Sequence, residues 1–250
     1  MTQEQNTQKT EELLKLLSGK DFTTADEFKR LVTAIDSHTV LAKVFLLEGT
    51  PYVFKNSPMK YVIFREQVAE RFGVGYQDVC IVGSAKLGFS PSPTSKFGKP
   101  FQETSDVDVV IISEAWFNNG SYELLKGLNQ IGPSPWEVKN KKGANAPKID
   151  PEDWVSLKEA IRNYVYSNFN PGLLPYDSQL RQEVFEKISS TAGLFLALAP
   201  QVFVSKIRCR FFKTWKAAEN YYSNSLRELA KHLEPNALLD EVEEPPEKPA

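Results

Sequence analysis

Two stretches of the chain carry groups that could do chemistry together. The first, Ile81-Val82-Gly83-Ser84-Ala85-Lys86-Leu87-Gly88, is an apolar run ending in a glycine-serine turn. The second, Ser105-Asp106-Val107-Asp108-Val109-Val110, sets two acids in a β-branched run. Residues two apart in a strand point to the same side, so Asp106 and Asp108 are expected to project together. Adjacent carboxylates repel and raise a carboxyl pKa unless a cation sits between them, and Mg2+ with its oxygen ligands is the natural one. A glycine-bearing turn opening a helix offers backbone N–H groups to an anion such as a triphosphate. Each half also has a plainer reading: a solvated strand edge for Asp-x-Asp, and an ordinary turn for Gly-Ser-x-x-x-Gly.

Other residues bear on the same chemistry. Lys206, Arg208 and Arg210 alternate along one strand and could grip a triphosphate or an acceptor, or could be a solvated outer face that blocks edge pairing. Lys86, Lys96 and Lys99 around the glycine-serine turn would add to a positive field. Phe89, Phe97 and Phe101 could stack on a base or anchor the loop that holds them. Trp215, Tyr221 and Tyr222 read as packing, and Cys80 as a small buried apolar residue.

Composition narrows the classes. With 30 Lys+Arg against 32 Asp+Glu, no global positive field marks a nucleic-acid binder, and any such site must be local. Two cysteines and two histidines make neither a disulfide scaffold nor a zinc site. No apolar run reaches membrane-spanning length and no signal peptide is recognised, so a cytoplasmic protein without membrane partners is expected.

Periodicity supplies the elements. A short helix is expected over Glu11–Leu17, and another after the Thr24/Glu27 capping box, with Phe28, Leu31, Val32 and Ile35 inward. Ser57-Pro58 opens a third helix, with Val62, Phe64, Val68 and Phe72 as contacts and Gly73 as its stop. Val79–Val82 and Val107–Ile112 read as strands around a long loop from Phe89 to Thr104. The stretch from Ile131 to Pro151 reads as an insertion. A helix over Glu152–Ser167 would bury Trp154, Leu157, Ile161 and Val165, and another starts at Asp177 or Ser178 and runs through Ile188. Gln201–Phe212 alternates as a strand with Ile207, Cys209 and Phe211 on the core side. Trp215–Leu233 is the last helix, before an acidic, proline-rich tail expected to be disordered.

Strand, Gly-Ser, a glycine four residues after the serine, then Ser-Asp-hydrophobic-Asp-hydrophobic on a second strand resembles the signature of the DNA polymerase β-like nucleotidyltransferase superfamily. The likeness is nearest to bacterial nucleotidyltransferase-domain proteins of antiphage defence, and more distant to cGAS/DncV-like and minimal nucleotidyltransferases. It covers about residues 58–117 and, more loosely, Lys206 to Leu229. The resemblance implies an α+β fold with a small mixed sheet flanked by helices: an N-terminal helical segment (1–56), a nucleotidyltransferase-like domain (57–233) and a tail (234–250). Gly83 and Ser84 would hold the β- and γ-phosphates, with Lys86, Gly88, Arg208 and Arg210 as further nucleotide-binding candidates. Asp106 and Asp108 would be catalytic and ligate Mg2+.

The implied reaction moves a nucleoside monophosphate from an NTP or dNTP to a hydroxyl without a template. Its acceptor would be another nucleotide, an oligonucleotide or RNA end, or a protein hydroxyl. One departure matters: the superfamily's third acid would stand on a later strand, which here carries Lys206, Arg208 and Arg210 instead. Glu137 could take that role, whereas Asp150 and Asp153 are explained as helix N-caps. The rival readings are a nucleotide-binding regulatory protein that has lost turnover and acts through a protein or nucleic-acid partner, and a plain interaction module.

Overall fold

Thr24 and Glu27 close the capping box their spacing predicts: the Thr24 amide donates to Glu27 Oε2 at 2.9 Å and the Glu27 amide to Thr24 Oγ1 at 3.2 Å. That box starts α1 (Ala25–Ala34), which buries Phe28, Leu31 and Val32. Ile35 lies beyond the helix as its extended C-cap. The computed structural model describes residues 22–92, 96–102, 105–131, 159–176, 178–200 and 206–233. The expected Glu11–Leu17 helix, most of the insertion, Trp154, Leu157, the start of the strand expected from Gln201, the tail, and Glu137, Asp150 and Asp153 lie outside them.

Helix α2 (His38–Leu41) widens into a π-type turn over Ala42–Leu47. In α3 (Pro58–Phe72) the proline takes the first turn, where its missing N–H costs nothing, and Gly73 at φ 64° ends the helix in the left-handed region. Its buried stripe is Tyr61, Phe64, Val68 and Phe72, whereas Val62, assigned to the contacts, is 37% exposed. Strand β1 (Val79–Val82) leads into the short helix α4 (Gly83–Leu87), followed by β2 (Val107–Ile112).

Helix α5 (Glu114–Ile131) is unanticipated, because Asn118-Asn119-Gly120 weakens helix propensity in its middle. The glycine has a packing reason: a Cβ at Gly120 would meet the ring of Phe169 at 2.6 Å. Helix α6 (159–165) and β3 (Asn168–Phe169) follow. The face assigned to its core is the wrong one: Ile161 and Val165 are exposed, while Ala160 and Asn163 are buried. Helix α7 (Gln179–Leu198), capped by Ser178, runs ten residues past Ile188 so that Phe195 reaches the rings of Phe54 and Phe64. Strand β4 (Ile207–Phe212) and α8 (Trp215–Leu233) complete the described elements.

The four strands form one mixed sheet in the order β1-β2-β4-β3. Only the central β2–β4 pair is parallel, in a register that sets Asp108 opposite Arg208 and Val110 opposite Arg210. Alternation then divides the core. Val79, Ile81, Val107, Val109, Ile111, Ile207, Cys209 and Phe211 face α3 and α7. Cys80, Val82, Val110, Ile112 and Phe212 face the start of α8. Farther along, α8 packs Leu226 and Leu229 on α1 and α2 instead. The side of β4 expected to be basic is therefore so only in its first half; Phe212 is fully buried. The chain is an α+β fold with a small open mixed sheet. Among the described residues no helix is long and apolar enough to cross a membrane.

Candidate nucleotide cleft

Where α8 leaves the sheet for α1 and α2, the starts of β2 and β4 stay uncovered and floor a cleft of about 820 Å³. Gly83 and Ser84 form one wall, Asp108, Arg208 and Arg210 the floor, and Tyr221 to Lys231 of α8 the opposite side. This size suits a nucleotide-sized ligand.

Gly83 earns its place by conformation and by contact. It sits at φ 68°, and a Cβ there would lie 3.0 Å from Asp108 Oδ2. The acid on β2 thus lies against the turn after β1. As the first residues of α4, Gly83 and Ser84 have N–H groups with no acceptor inside the helix. Gly83→Ala should cost about 1–2 kcal/mol from the left-handed backbone alone and displace the Asp108 carboxylate. Denaturant melts and a structure of the variant check both.

Burial pushes Asp108 up to about pKa 6, and the Asp106 charge pushes the same way; Arg208 and Arg210 pull against them. Asp106 itself lies outside the cleft wall. Its Oδ2 is 2.5 Å from Arg208 Nη2, so the guanidinium ties the outer acid to the cleft floor. Arg210 is fixed differently, donating to Asn168 Oδ1 at 2.9 Å and Asn163 Oδ1 at 3.4 Å, with its guanidinium 5.0 Å from the Tyr221 ring. Both amides spend their oxygens on Arg210, which leaves their buried Nδ2 groups without a partner among the described residues. Flipping either amide would set N–H against N–H.

Besides Asp106, two more candidates, Lys86 and Gly88, are not brought to the cleft. The Lys86 side chain is buried and turns inward to the carbonyls of Glu48 and Thr50, where burial lowers its pKa to about 8. Gly88 ends α4 at φ 87°, and its Cα lies so close to Tyr52 that a Cβ would sit 2.7 Å from the ring. Lys96 and Lys99 are exposed outside the cleft wall. Phe89 and Phe97 pack in the α1 cluster and Phe101 against the main core, so these rings anchor the loop and do not stack on a base. Phe89 also bridges to Pro100, which closes the loop on itself. Cys80 is buried, its thiol pushed up to about pKa 12, and so is inert.

Sequence reasoning missed the outer rim, where Arg162, Arg227 and Lys231 line the same cleft. Arg227 and Lys231 are four apart on one helix, a signal that also fits any solvated face. Tyr221, read as packing, also serves as the aromatic support of Arg210. The five cleft cations face only Asp108 and Glu228 among the lining residues, a field that attracts a polyanion.

The donor set can be tested against Mg2+. A half-buried carboxylate with a raised pKa, beside a second acid and a phosphate-sized turn, offers the hard oxygens that ion takes. Among the described residues, no group of three or more His, Cys, Asp or Glu could hold a metal. With two acids alone, an ion held here would have to complete its shell with ligand oxygens. No protein-family model, no curated protein and no solved structure matches the chain.

Proposed function

We propose that this chain is a template-independent nucleotidyltransferase of the polymerase β-like type, acting in the cytoplasm, that moves a nucleoside monophosphate from an NTP or dNTP to a hydroxyl acceptor. The observation that carries the reading is the Asp108 carboxylate lying against Gly83, which joins one acid of the pair to a glycine-serine turn at the floor of a cationic cleft. The amides of Gly83 and Ser84 hold the terminal phosphates, and Arg210, locked by Asn163, Asn168 and Tyr221, presents a fixed positive charge to the phosphate chain. Asp106 and Asp108 would hold Mg2+, which when bound neutralises charge on the transferring phosphoryl group and the leaving pyrophosphate. The acceptor hydroxyl oxygen forms the new bond to the α-phosphorus, the bond to the β-phosphate oxygen breaks, and the hydroxyl proton passes to water. Arg162, Arg227 and Lys231 at the outer rim suit a phosphate-bearing acceptor, such as an oligonucleotide or RNA end. The family likeness further suggests a role in bacterial antiphage defence.

A second reading has its own observation. Arg208 stands at the register position opposite Asp108 and is ion-paired to Asp106, which favours a nucleotide-binding regulatory protein with little turnover that acts through a protein or nucleic-acid partner. Mass spectrometry of products from a mixture of all NTPs and dNTPs with Mg2+ separates the two. New phosphodiester product with pyrophosphate, lost in Asp106→Ala and Asp108→Ala, is expected. Tight nucleotide binding without product would favour the second reading, and neither binding nor product would sink both.

A further inference from the structure

We propose that Arg208 is the resident counter-ion of the Asp106/Asp108 pair, so that the pair rejects a free divalent cation and admits one only together with a polyphosphate chain. This rests on the reading above that a triphosphate enters the cleft. The β2–β4 register brings Arg208 opposite Asp108, and its Nη2 lies 2.5 Å from Asp106 Oδ2, within the reach of a charge-assisted bond. Arg208 also acts on the Asp108 carboxylate, as does Arg210. The charges of these two carboxylates and two guanidiniums thus balance among themselves. A bare divalent ion would add two uncompensated charges beside two guanidiniums, and would have to take carboxylate lone pairs that Arg208 already uses. The same ion arriving with a triphosphate brings more negative charge than positive, and its phosphate oxygens give Arg208 a new bidentate partner.

The two arginines differ in the way this exchange requires. Arg210 is tethered to Asn163 and Asn168 and cannot follow a ligand. The Arg208 side chain is 57% exposed, against 21% for Asp106, so the guanidinium can turn from the acid to a phosphate without unpacking the core. Arg208 is a positioning residue in this account: it decides which form of the cation the acids accept.

The test is a titration of Mn2+, which takes similar oxygen ligands, into the full chain without nucleotide, followed by electron paramagnetic resonance of free Mn2+. Arg208→Gln should bind Mn2+ about tenfold more tightly than wild type. The double variant Arg208→Gln/Asp106→Asn should lose that gain, which ties it to the acid that Arg208 binds. In wild type, adding a non-hydrolysable nucleoside triphosphate analogue should bring Mn2+ onto the protein. Equal Mn2+ affinity in wild type and Arg208→Gln would overturn the proposal, as would a gain that persists in the double variant. If the analogue binds neither with nor without Mn2+, the triphosphate reading fails, whereas the nucleotide-free comparison still decides the role of Arg208. Circular dichroism melts of each variant establish that it is folded.

Discussion

Asp108→Asn should abolish nucleotide-dependent pyrophosphate release and yet give a more stable protein at neutral pH. The two effects share a cause. Burial holds the Asp108 carboxyl at about pKa 6, so the folded chain keeps a proton that the unfolded chain has already released. Stability linked to this group is fully present below the unfolded value near pH 4 and is lost as pH rises through about 6. At pH 7.5 the fold carries an ionised, half-buried carboxylate, at a cost of about 1–2 kcal/mol once partial solvent access is allowed for. Asparagine removes that cost, so the variant should melt about 3–6 °C above wild type at pH 7.5 and level with it near pH 4. Catalysis runs the other way: losing a metal-binding charge should lower turnover about 10³-fold, equivalent to the several kcal/mol such charge stabilisation supplies. A variant less stable than wild type at pH 7.5, or one that still turns over, would remove Asp108 from the site.

Phe211→Ala should cost about 3–5 kcal/mol, a large part of the net stability of a domain this size. Phe211 is fully buried on the side of β4 away from the cleft. Its ring lies 4.9 Å from Phe169, 5.5 Å from Phe72 and 5.6 Å from Trp116, joining β3, α3 and α5 at one point. The pair Asp108–Arg208 depends on β4 keeping its register, so loosening this side should disturb the acid pair on the other. Urea melts give the first effect. Nucleotide binding at temperatures below the new midpoint gives the second, and unchanged binding there would show that the register survives without the ring.

The parts of the fold that were legible in the sequence are those set by local periodicity. Val79–Val82 and Val107–Ile112 announce themselves as β-branched runs, and the Thr24/Glu27 and Pro58/Gly73 pairs mark helix ends by backbone needs that any context shares. The placing of Asp108 beside Gly83 follows from the same two strands. What was not legible depends on where elements meet. Nothing local says that Lys86 turns toward the Glu48 carbonyl, because the direction of a side chain on so short a helix is set by the segment it packs against. Ile161 and Val165 look like a core face, yet Asn163 is turned inward because Arg210 needs an oxygen acceptor there. Gly120 reads as a helix breaker until the Phe169 ring behind it is seen. The outer rim of the cleft joins α6 to α8, a pairing no spacing encodes.

The parallel pairing at the middle of the sheet has a kinetic consequence. Asp108 and its partner Arg208 stand 100 positions apart, so β4 can dock only after that length of chain beyond β2 has been made. Non-local strand pairing of this kind is slow, because loop-closure entropy must be met before any contact is gained. Until then β1 and β2 present a bare edge of valine and isoleucine, the form of the polypeptide most open to self-association, and a nascent chain halted before Ile207 should precipitate more readily than one extended through Leu233.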